Sequence, residues 1–301
     1  MANDQDQLFD GRFLDRLRSL FFKLRKRKHM QKRGAENTPA AGFTREFKDH
    51  RHYTPGDDYR AIDWRLLARL DKTFIRIFEE IQEYHVHIIL DCSRSMIEPF
   101  PEKRVNALRV TLALAYLALL SQHRVSIMTV ADELKRETNP LKGQGHIHDL
   151  LKRLAELEFD GATDLVKGLS QFRPSRDRKG IVFVISDLFG KTPDLSTQAL
   201  LNATRYPAET HVIHMLHPNE VTPDLLGEIR LVDVETKEVR RIWMTRREIE
   251  RYKQAFEEFV EDVRRFCMQR NIDYFHWLTD QPFEDSFISL LSRGSALASS
   301  Q

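Results

Sequence analysis

The chain has 301 residues, which is enough for one large domain with additions or for two small domains. Charged residues make up 31% of it, but the formal net charge is only +2, which argues against a nucleic-acid-binding or membrane-binding character for the chain as a whole. No apolar run approaches the roughly 20 residues that span a bilayer, and the polar opening Met1–Asp6 is unlike a signal peptide. The two cysteines, Cys92 and Cys267, cannot form a disulfide framework, so the sequence favours a cytoplasmic protein.

The first segment of the chain, residues 1–39, is predicted to be a basic amphipathic helix followed by a linker. Its apolar residues recur at spacings of three and four, at Phe13, Leu14, Leu17, Leu20, Phe21 and Leu24. Residues 12–33 contain ten Lys or Arg and one acid. Two interpretations remain open: a helix packed on the domain with a solvated basic tail, or a segment that contacts a membrane surface or an acidic partner.

A Pro-Gly-Asp-Asp motif at Pro55–Asp58 is the most distinctive sequence feature before residue 84. The Pro-Gly pair suits a type II turn, because glycine tolerates the positive φ that this turn requires. Asp57 or Asp58 can then cap a short helix that runs to about Arg69. The matched Arg, Asp and Glu residues around the motif indicate either an ion-pair scaffold or a recognition surface. On the second interpretation, Asp57, Asp58 and Arg60 are candidate contacts for a partner.

A second β-rich segment is predicted at residues 227–244, where apolar and polar residues alternate around a turn at Glu235–Glu238. We expect this hairpin to pair with strands of residues 40–84 and to form a small β-rich annex. The long helix Thr245–Arg270 would then return the chain to the main domain.

Apolar strands alternate with helices over residues 85–292, apart from the hairpin and before a tail at 293–301. This alternation predicts an α/β fold with a doubly wound, mostly parallel sheet. The predicted strands are 85–91, Arg124–Val130, Gly180–Asp187, Glu209–Leu216 and Asn271–Leu278.

Oxygen-bearing side chains occur at the ends of three predicted strands or helices. Asp91, Ser93 and Ser95 are spaced as Asp-x-Ser-x-Ser directly after one apolar strand, Thr163 opens a later helix, and Asp187 ends another apolar strand. Open α/β sheets bind ligands at the carboxyl ends of their strands. Carboxylate and hydroxyl oxygens suit a hard divalent cation, Mg²⁺ before the larger Ca²⁺.

In this order, the three pieces resemble the metal-ion-dependent adhesion site of von Willebrand factor A domains. Further segments resemble the signature of the domain-of-unknown-function 58 family, which joins such a segment to a von Willebrand factor A-like, Rossmann-type domain. These segments are Arg45–Phe47, Tyr53–Trp64, Ala68–Arg69 and Phe78–Glu80. The resemblance covers roughly residues 8–292.

The resemblance implies a non-enzymatic interaction module that uses Mg²⁺, or else Mn²⁺ or Ca²⁺. The hydroxyls of Ser93, Ser95 and Thr163 would hold the ion, and Asp91 and Asp187 would bind it directly or through water. An acidic residue of a partner protein would complete the coordination. The resemblance further implies a chaperone-like adaptor that works with a MoxR-type AAA+ ATPase. Arg94 would add a positive charge beside the ion and is a further candidate contact for the partner.

Several alternatives compete with metal-dependent docking. Asp91 and Asp187 could simply cap helices. A metal-dependent hydrolase of phosphate or acyl substrates would need a general base, and the acid beside the ligand residues, Asp164, better suits a helix start. Zinc is disfavoured because the sequence has neither a Cys-x-x-Cys nor a His-Glu-x-x-His motif, and because histidines such as His211 and His214 diverge along a strand. Cys92 is expected to be a small buried residue.

Overall fold

The computed structural model describes residues 12–20, 45–80, 83–161, 164–174, 180–190, 193–223, 225–232 and 238–293. These residues fall into two compact units. The larger unit lies within Met1–Arg27 and Glu83–Ala298, and the smaller unit lies within Lys28–Gln82.

The strands are numbered here in chain order. They are β1 (Arg45–His52), β2 (Phe74–Glu80), β3 (His85–Asp91), β4 (Arg124–Val130), β5 (Leu134–Arg136), β6 (Leu141–Lys142), β7 (Gly180–Ser186), β8 (Ala208–Leu216), β9 (Gly227–Val232), β10 (Val239–Met244) and β11 (Asp273–Leu278).

The helices are numbered in the same way. They are α1 (13–20), α2 (Trp64–Leu70), α3 (Glu102–Leu120), α4 (Ile147–Ala155), α5 (Leu165–Ser170), α6 (Pro193–Ala203), α7 (Pro218–Val221), α8 (Arg246–Gln269) and α9 (Phe283–Arg293). Short 3₁₀ turns occur at Tyr59–Ala61, Arg94–Met96 and Gln144–His146.

A seven-stranded sheet organises the larger unit, in the order β11-β8-β7-β3-β4-β5, with β6 also paired to β4. The strands from β11 to β4 are parallel, and β5 and β6 run antiparallel to β4. The central strand β3 is buried along its whole length. A parallel strand covered on both faces reads as a continuous apolar run, which is the pattern seen in the sequence. The predicted α/β class and largely parallel sheet are confirmed.

Helices cover both faces of this sheet. Successive residues of β3 enter different cores: Ile88 packs in a cluster with α3, α4 and α9, whereas Ile89 packs in a cluster with α5, α6 and α8. Helix α3 is buried on nearly all sides, as expected for a helix that is apolar around its whole circumference.

The described part of the N-terminal segment packs on the larger unit. Phe13 and Leu17 are buried in the first core cluster, and the Phe13 ring lies 5.3 Å from the ring of Phe283. Residues 21–33, which contain most of the basic charge, lie outside the described residues. Contact of residues 12–33 with a membrane or an acidic partner therefore stays a prediction.

The smaller unit contains an antiparallel pair, β1 with β2, and the helix α2. Gly56 has a φ of 110°, as the turn requires. Asp58 caps the 3₁₀ turn that follows it, and Asp63 caps α2 by accepting from the backbone N–H groups of Arg65 and Leu66. The predicted short helix therefore exists, but its cap is Asp63.

The predicted annex shared by residues 40–84 and 227–244 requires a correction. Within the described residues, β9 pairs with β10 and β1 pairs with β2, in two separate two-stranded sheets. Alternation of apolar and polar residues predicts strands but does not specify their partners. Here each strand pairs with the strand next to it along the chain. The domain boundaries proposed from the sequence otherwise stay predictions.

None of the helices in the part of the chain that the structure describes has the length and hydrophobicity that spanning a bilayer requires.

Candidate functional site

The carboxylate of Asp91 lies at the carboxyl end of β3 and is fully buried. Its Oδ1 accepts from the backbone N–H of Ser93 at 2.9 Å, and its Oδ2 accepts from the Ser186 hydroxyl at 2.6 Å. Ser186 is the last residue of β7, the neighbouring strand. The ends of β3 and β7 are thus joined through one carboxylate, as the parallel arrangement predicts.

The hydroxyls of Ser93 and Ser95 face each other in the 3₁₀ turn after β3. Their Oγ atoms lie 3.1 Å apart and form a hydrogen bond with each other; Ser93 is fully buried and Ser95 is partly exposed. Neighbouring ligands of an octahedral Mg²⁺ with metal–oxygen distances of 2.0–2.1 Å lie about 2.9 Å apart. The spacing of these two hydroxyls therefore fits adjacent positions around such an ion.

Asp187 follows β7 and is fully buried, but its closest charged neighbour is an internal ammonium group. Lys103 Nζ donates to Asp187 Oδ2 at 2.9 Å and to Glu220 Oε1 at 2.6 Å. The side chain of Lys103 is 0% exposed, although a lysine is rarely buried to this extent. We call Lys103, Asp187 and Glu220 the buried triad.

Burial and charge shift the ionisation of this cluster. Burial, with a further contribution from the Asp187 charge, raises the pKa of Asp91, while hydrogen bonds from Ser186 and Ser93 oppose the shift. Burial acts to lower the pKa of Lys103, but the carboxylates of Asp187 and Glu220 outweigh it and leave that pKa raised. The lysine therefore stays charged, whereas the carboxylate of Asp91 accepts from Ser93 and Ser186 and has no cationic partner among the described residues.

Thr163, the remaining predicted ligand, lies outside the described residues. The described chain on either side of it contacts residues at this edge of the sheet. The carbonyl of Gly161 accepts from the backbone N–H of Arg94 at 3.2 Å, and the backbone N–H of Asp164 donates to the Ala131 carbonyl at 3.0 Å. The assignment of Thr163 as a ligand stays a prediction.

Asp164 and Cys92 have the local roles that the sequence suggested. Asp164 caps α5 by accepting from the backbone N–H of Lys167 at 2.8 Å. Cys92 is buried, and burial raises the pKa of its thiol, so an activated thiolate is disfavoured.

Arg94 lies beside the two serines, and its guanidinium pairs with Asp160. The Nε atom donates to Asp160 Oδ1 at 3.0 Å. This contact joins the loop after β3 to the loop that precedes Thr163. Arg94 thus has a clear scaffold role, and contact with a partner stays a prediction for it.

The other candidate partner contacts belong to the smaller unit and make local interactions. Asp57 pairs with Arg51 at 2.7 Å and accepts from Thr54, Asp58 caps the 3₁₀ turn, and the Arg60 guanidinium lies 5.8 Å from the Tyr59 ring centroid. These contacts favour a scaffold for Asp57 and Asp58 and leave recognition by the three residues a prediction.

A second polar group, not foreseen from the sequence, occurs at the opposite edge of the sheet. Glu209, His211 and Asp273 each offer one metal-ligating atom, and these atoms lie within 4.8 Å of one another. No local pattern predicts this group, because Asp273 lies on a different strand, 62 positions further along the chain than His211.

The topology and the strand-end polar cluster define a class: an α/β protein with a doubly wound, mostly parallel sheet and a polar site at the carboxyl ends of β3 and β7. Residues 49–264 match the family described as "Protein of unknown function DUF58". Since this match covers more than half of the chain, the chain belongs to that family. The predicted family is confirmed.

Curated relatives are uncharacterized proteins of mycobacteria. Rv1480 of Mycobacterium tuberculosis strain H37Rv is 26% identical over 197 residues, which cover 64% of this chain and 61% of that protein. Mb1516 of Mycobacterium bovis matches with the same identity and the same coverage. The matched segment thus spans about 61% of these relatives.

Solved structures similar to this chain include BatB from Bacteroides thetaiotaomicron, at 14% identity and a TM-score of 0.40, with 72% of this chain and 99% of that chain covered. An aerotolerance-related membrane protein from Bacteroides fragilis NCTC 9343 is 12% identical with a TM-score of 0.41, covering 70% of this chain and 98% of that one. A von Willebrand factor type A protein from Catenulispora acidiphila is 18% identical with a TM-score of 0.35, covering 46% and 34%.

Proposed function

We propose that this protein is a non-enzymatic interaction module, in which a divalent cation at Asp91, Ser93 and Ser95 docks an acidic side chain of a partner protein. One observation supports this most strongly: two hydroxyls at the spacing of adjacent octahedral ligands lie beside a buried carboxylate. Thr163 and Asp187 complete the proposed set, directly or through water.

The charge of the cluster favours a dication. Among the described residues around the site, Asp91, Asp187 and Glu220 contribute three carboxylates, and Lys103 contributes one ammonium group. An excess of two negative charges in a buried cluster is costly without a counterion. A bound dication balances that excess, and neutral hydroxyl ligands leave it attractive to one further anion.

A neighbouring cleft restricts the kind of partner. It has a volume of about 530 Å³ and reaches Cys92, next to Asp91. Its lining includes one lysine, Lys135, against six acidic residues: Asp132, Glu133, Glu137, Glu156, Glu158 and Asp160. A partner segment that places one carboxylate at the ion and basic side chains beside it would match this surface.

The identity of the partner rests on the family resemblance alone, which implies a MoxR-type AAA+ ATPase, with this chain as a chaperone-like adaptor. Mg²⁺ is the first candidate ion, ahead of Mn²⁺ and Ca²⁺, because the ligand set is small and consists of oxygen atoms.

Calorimetric titration with Mg²⁺ tests the site. We expect the wild type to bind one ion, and Asp91→Asn or a Ser93→Ala/Ser95→Ala variant to bind at least about tenfold more weakly, since both remove ligands. Thr163→Ala tests the ligand that lies outside the described residues. Asp57→Asn, which changes a carboxylate of the smaller unit, is the matched control and should bind like the wild type. Equal affinity for Mg²⁺ in the wild type and in Asp91→Asn would show that the ion does not bind at the proposed site.

Docking is tested by capture of a purified MoxR-type ATPase on the immobilised protein. We expect capture in Mg²⁺, loss in EDTA, and no capture by Asp91→Asn. Capture that survives EDTA would contradict the ion-dependent mechanism while leaving the partnership intact. Metal-dependent turnover of generic phosphoesters, lost in Asp91→Asn, would favour the hydrolase instead.

A further inference from the structure

A second group of metal-ligating side chains lies at the amino-terminal edge of the sheet. Glu209 and His211 are two residues apart on β8, so their side chains lie on the same face of the sheet. Asp273, the first residue of β11, is the parallel partner of His211 in the register of the two strands. The fold therefore brings two carboxylates and one imidazole together, with their ligating atoms within 4.8 Å.

The orientation of the His211 ring is fixed on two sides. The ring stacks on Phe183 at a centroid distance of 4.8 Å and an interplanar angle of 21°. Its Nδ1 lies 3.1 Å from Asp273 Oδ2. An ionised carboxylate only accepts hydrogen bonds, so Nδ1 bears the proton in the neutral ring and Nε2 is left with a lone pair.

The burial of the second ring nitrogen, His211 Nε2, is not explained by any hydrogen bond within the described residues. The nearest carboxylate oxygen, Glu209 Oε1, is 3.8 Å away, which is too far for a hydrogen bond. Burial lowers the pKa of His211 despite the nearby carboxylates, which keeps the ring neutral. An Asp-oriented structural histidine accounts for Nδ1 but leaves a buried, unpaired Nε2, which is costly.

We propose that His211 Nε2 and the Glu209 carboxylate bind a transition-metal dication of the Zn²⁺ class, with Asp273 holding the His211 ring in position. Imidazole nitrogen and carboxylate oxygen are ligands that Zn²⁺ accepts, at 2.0–2.2 Å, which places tetrahedral ligand atoms about 3.4 Å apart. The observed 3.8 Å between Nε2 and Oε1 needs a shift of only a few tenths of an ångström. The Asp273–His211 contact has the form of a carboxylate that orients a metal-bound histidine.

This site is separate from the one at Asp91. His211 is paired with Phe183 of β7, whereas Leu90, the residue before Asp91, is paired with Ile185, and β7 lies between β8 and β3. About three residues along the strands and two strand spacings across them separate the two sites by about 14 Å. Their chemistry differs as well, since one offers oxygen atoms alone and the other includes a nitrogen. The remaining positions of an ion at His211 would be open to water because both carboxylates reach solvent.

Calorimetric titration of the full-length protein with Zn²⁺, in excess Mg²⁺, tests the proposal. We expect the wild type and Asp91→Asn to bind one Zn²⁺ at this site, and His211→Gln to lose that binding. Asp273→Asn, which changes the orienting carboxylate, should bind about 10–100-fold more weakly, and Glu209→Gln at least as weakly.

The matched control is His276→Gln. His276 is a half-buried histidine whose Nε2 atom is buried and has no hydrogen-bond partner in the described part of the chain, and it lies on β11 outside the Glu209–His211–Asp273 group. It should leave Zn²⁺ binding unchanged.

Three results would overturn the proposal: no Zn²⁺ binding by the wild type, wild-type affinity in His211→Gln, or an equal loss in His276→Gln. Should circular dichroism show that His211→Gln is unfolded, Glu209→Gln and Asp273→Asn decide the matter. Their side chains are 36% and 48% exposed, so these substitutions preserve the core.

Discussion

The two units of the molecule use the same residue type in opposite ways. In the smaller unit, Asp57 and Asp63 lie near the surface, and hydrogen bonds lower the pKa of each carboxyl; the largest contribution comes from the Thr54 backbone for Asp57 and from His50 for Asp63. In the larger unit Asp91 is fully buried, and burial raises its pKa. Surface carboxylates here serve turns and helix caps, whereas the buried ones retain charge that the fold alone does not balance. That imbalance is what marks a candidate site.

The largest expected effect comes from removing the buried cation. Lys103→Met leaves Asp187 and Glu220 buried without their partner, and we expect it to lower the free energy of unfolding by about 3–5 kcal/mol. Urea denaturation at pH 7 without added metal measures this.

A charge-neutral triple variant, Lys103→Met/Asp187→Asn/Glu220→Gln, is the control for Lys103→Met. It should recover much of the lost stability, because no unpaired charge remains buried. If Lys103→Met is as stable as the wild type, the triad is not a buried ion pair, and the contrast between the two units is lost.

A smaller effect is expected from a buried histidine of the larger unit. Burial, with His85 adding to it, lowers the pKa of His87 to about 3. The unfolded chain takes up a proton near pH 6.5 and the folded chain does not, so stability is lost as the pH falls below 6.5. Between pH 6.5 and pH 5 this histidine should lower the free energy of unfolding by about 2 kcal/mol.

His87→Leu should remove that part of the pH dependence, measured as the difference between urea unfolding at pH 6.5 and at pH 5. Met128→Leu, on the adjacent strand β4 and in the core, should keep the wild-type difference. An unchanged difference in His87→Leu would show that this ring is already protonated in the folded protein.

The smallest effect is expected in the smaller unit. Arg51→Gln removes the ion pair with Asp57, which lies at the surface, where such pairs add little to stability. We expect the midpoint of urea unfolding to stay within the error of repeated measurements. A clear loss would show that the charged scaffold of this unit is as important as the buried triad.

The sequence was informative where local pattern and topology coincide. The alternation of apolar strands and helices predicted the parallel sheet, and the spacing Asp91-x-Ser93-x-Ser95 after an apolar strand predicted the hydroxyl pair. Both depend on interactions between residues close in sequence, or on the rule that parallel strands end at one edge.

The sequence was uninformative where the partner comes from a distant segment. A lysine in the first turn of α3 looks solvent-exposed until Asp187 and Glu220 are brought to it, from 84 and 117 positions away. The strand partners of β9 and β10 were predicted wrongly for a related reason: a pattern of alternating residues does not encode its neighbour.

One hydrogen bond has a consequence for the whole strand-end cluster. The Ser186 hydroxyl, on the residue before Asp187, donates to Asp91 on another strand. A displacement of the end of β7 that moves Asp187 therefore also disturbs Asp91, and the two carboxylates cannot be adjusted one at a time. Substitutions at positions 91 and 186 should accordingly be non-additive, and a thermodynamic cycle built on Asp91→Asn and Ser186→Ala would give the coupling energy directly.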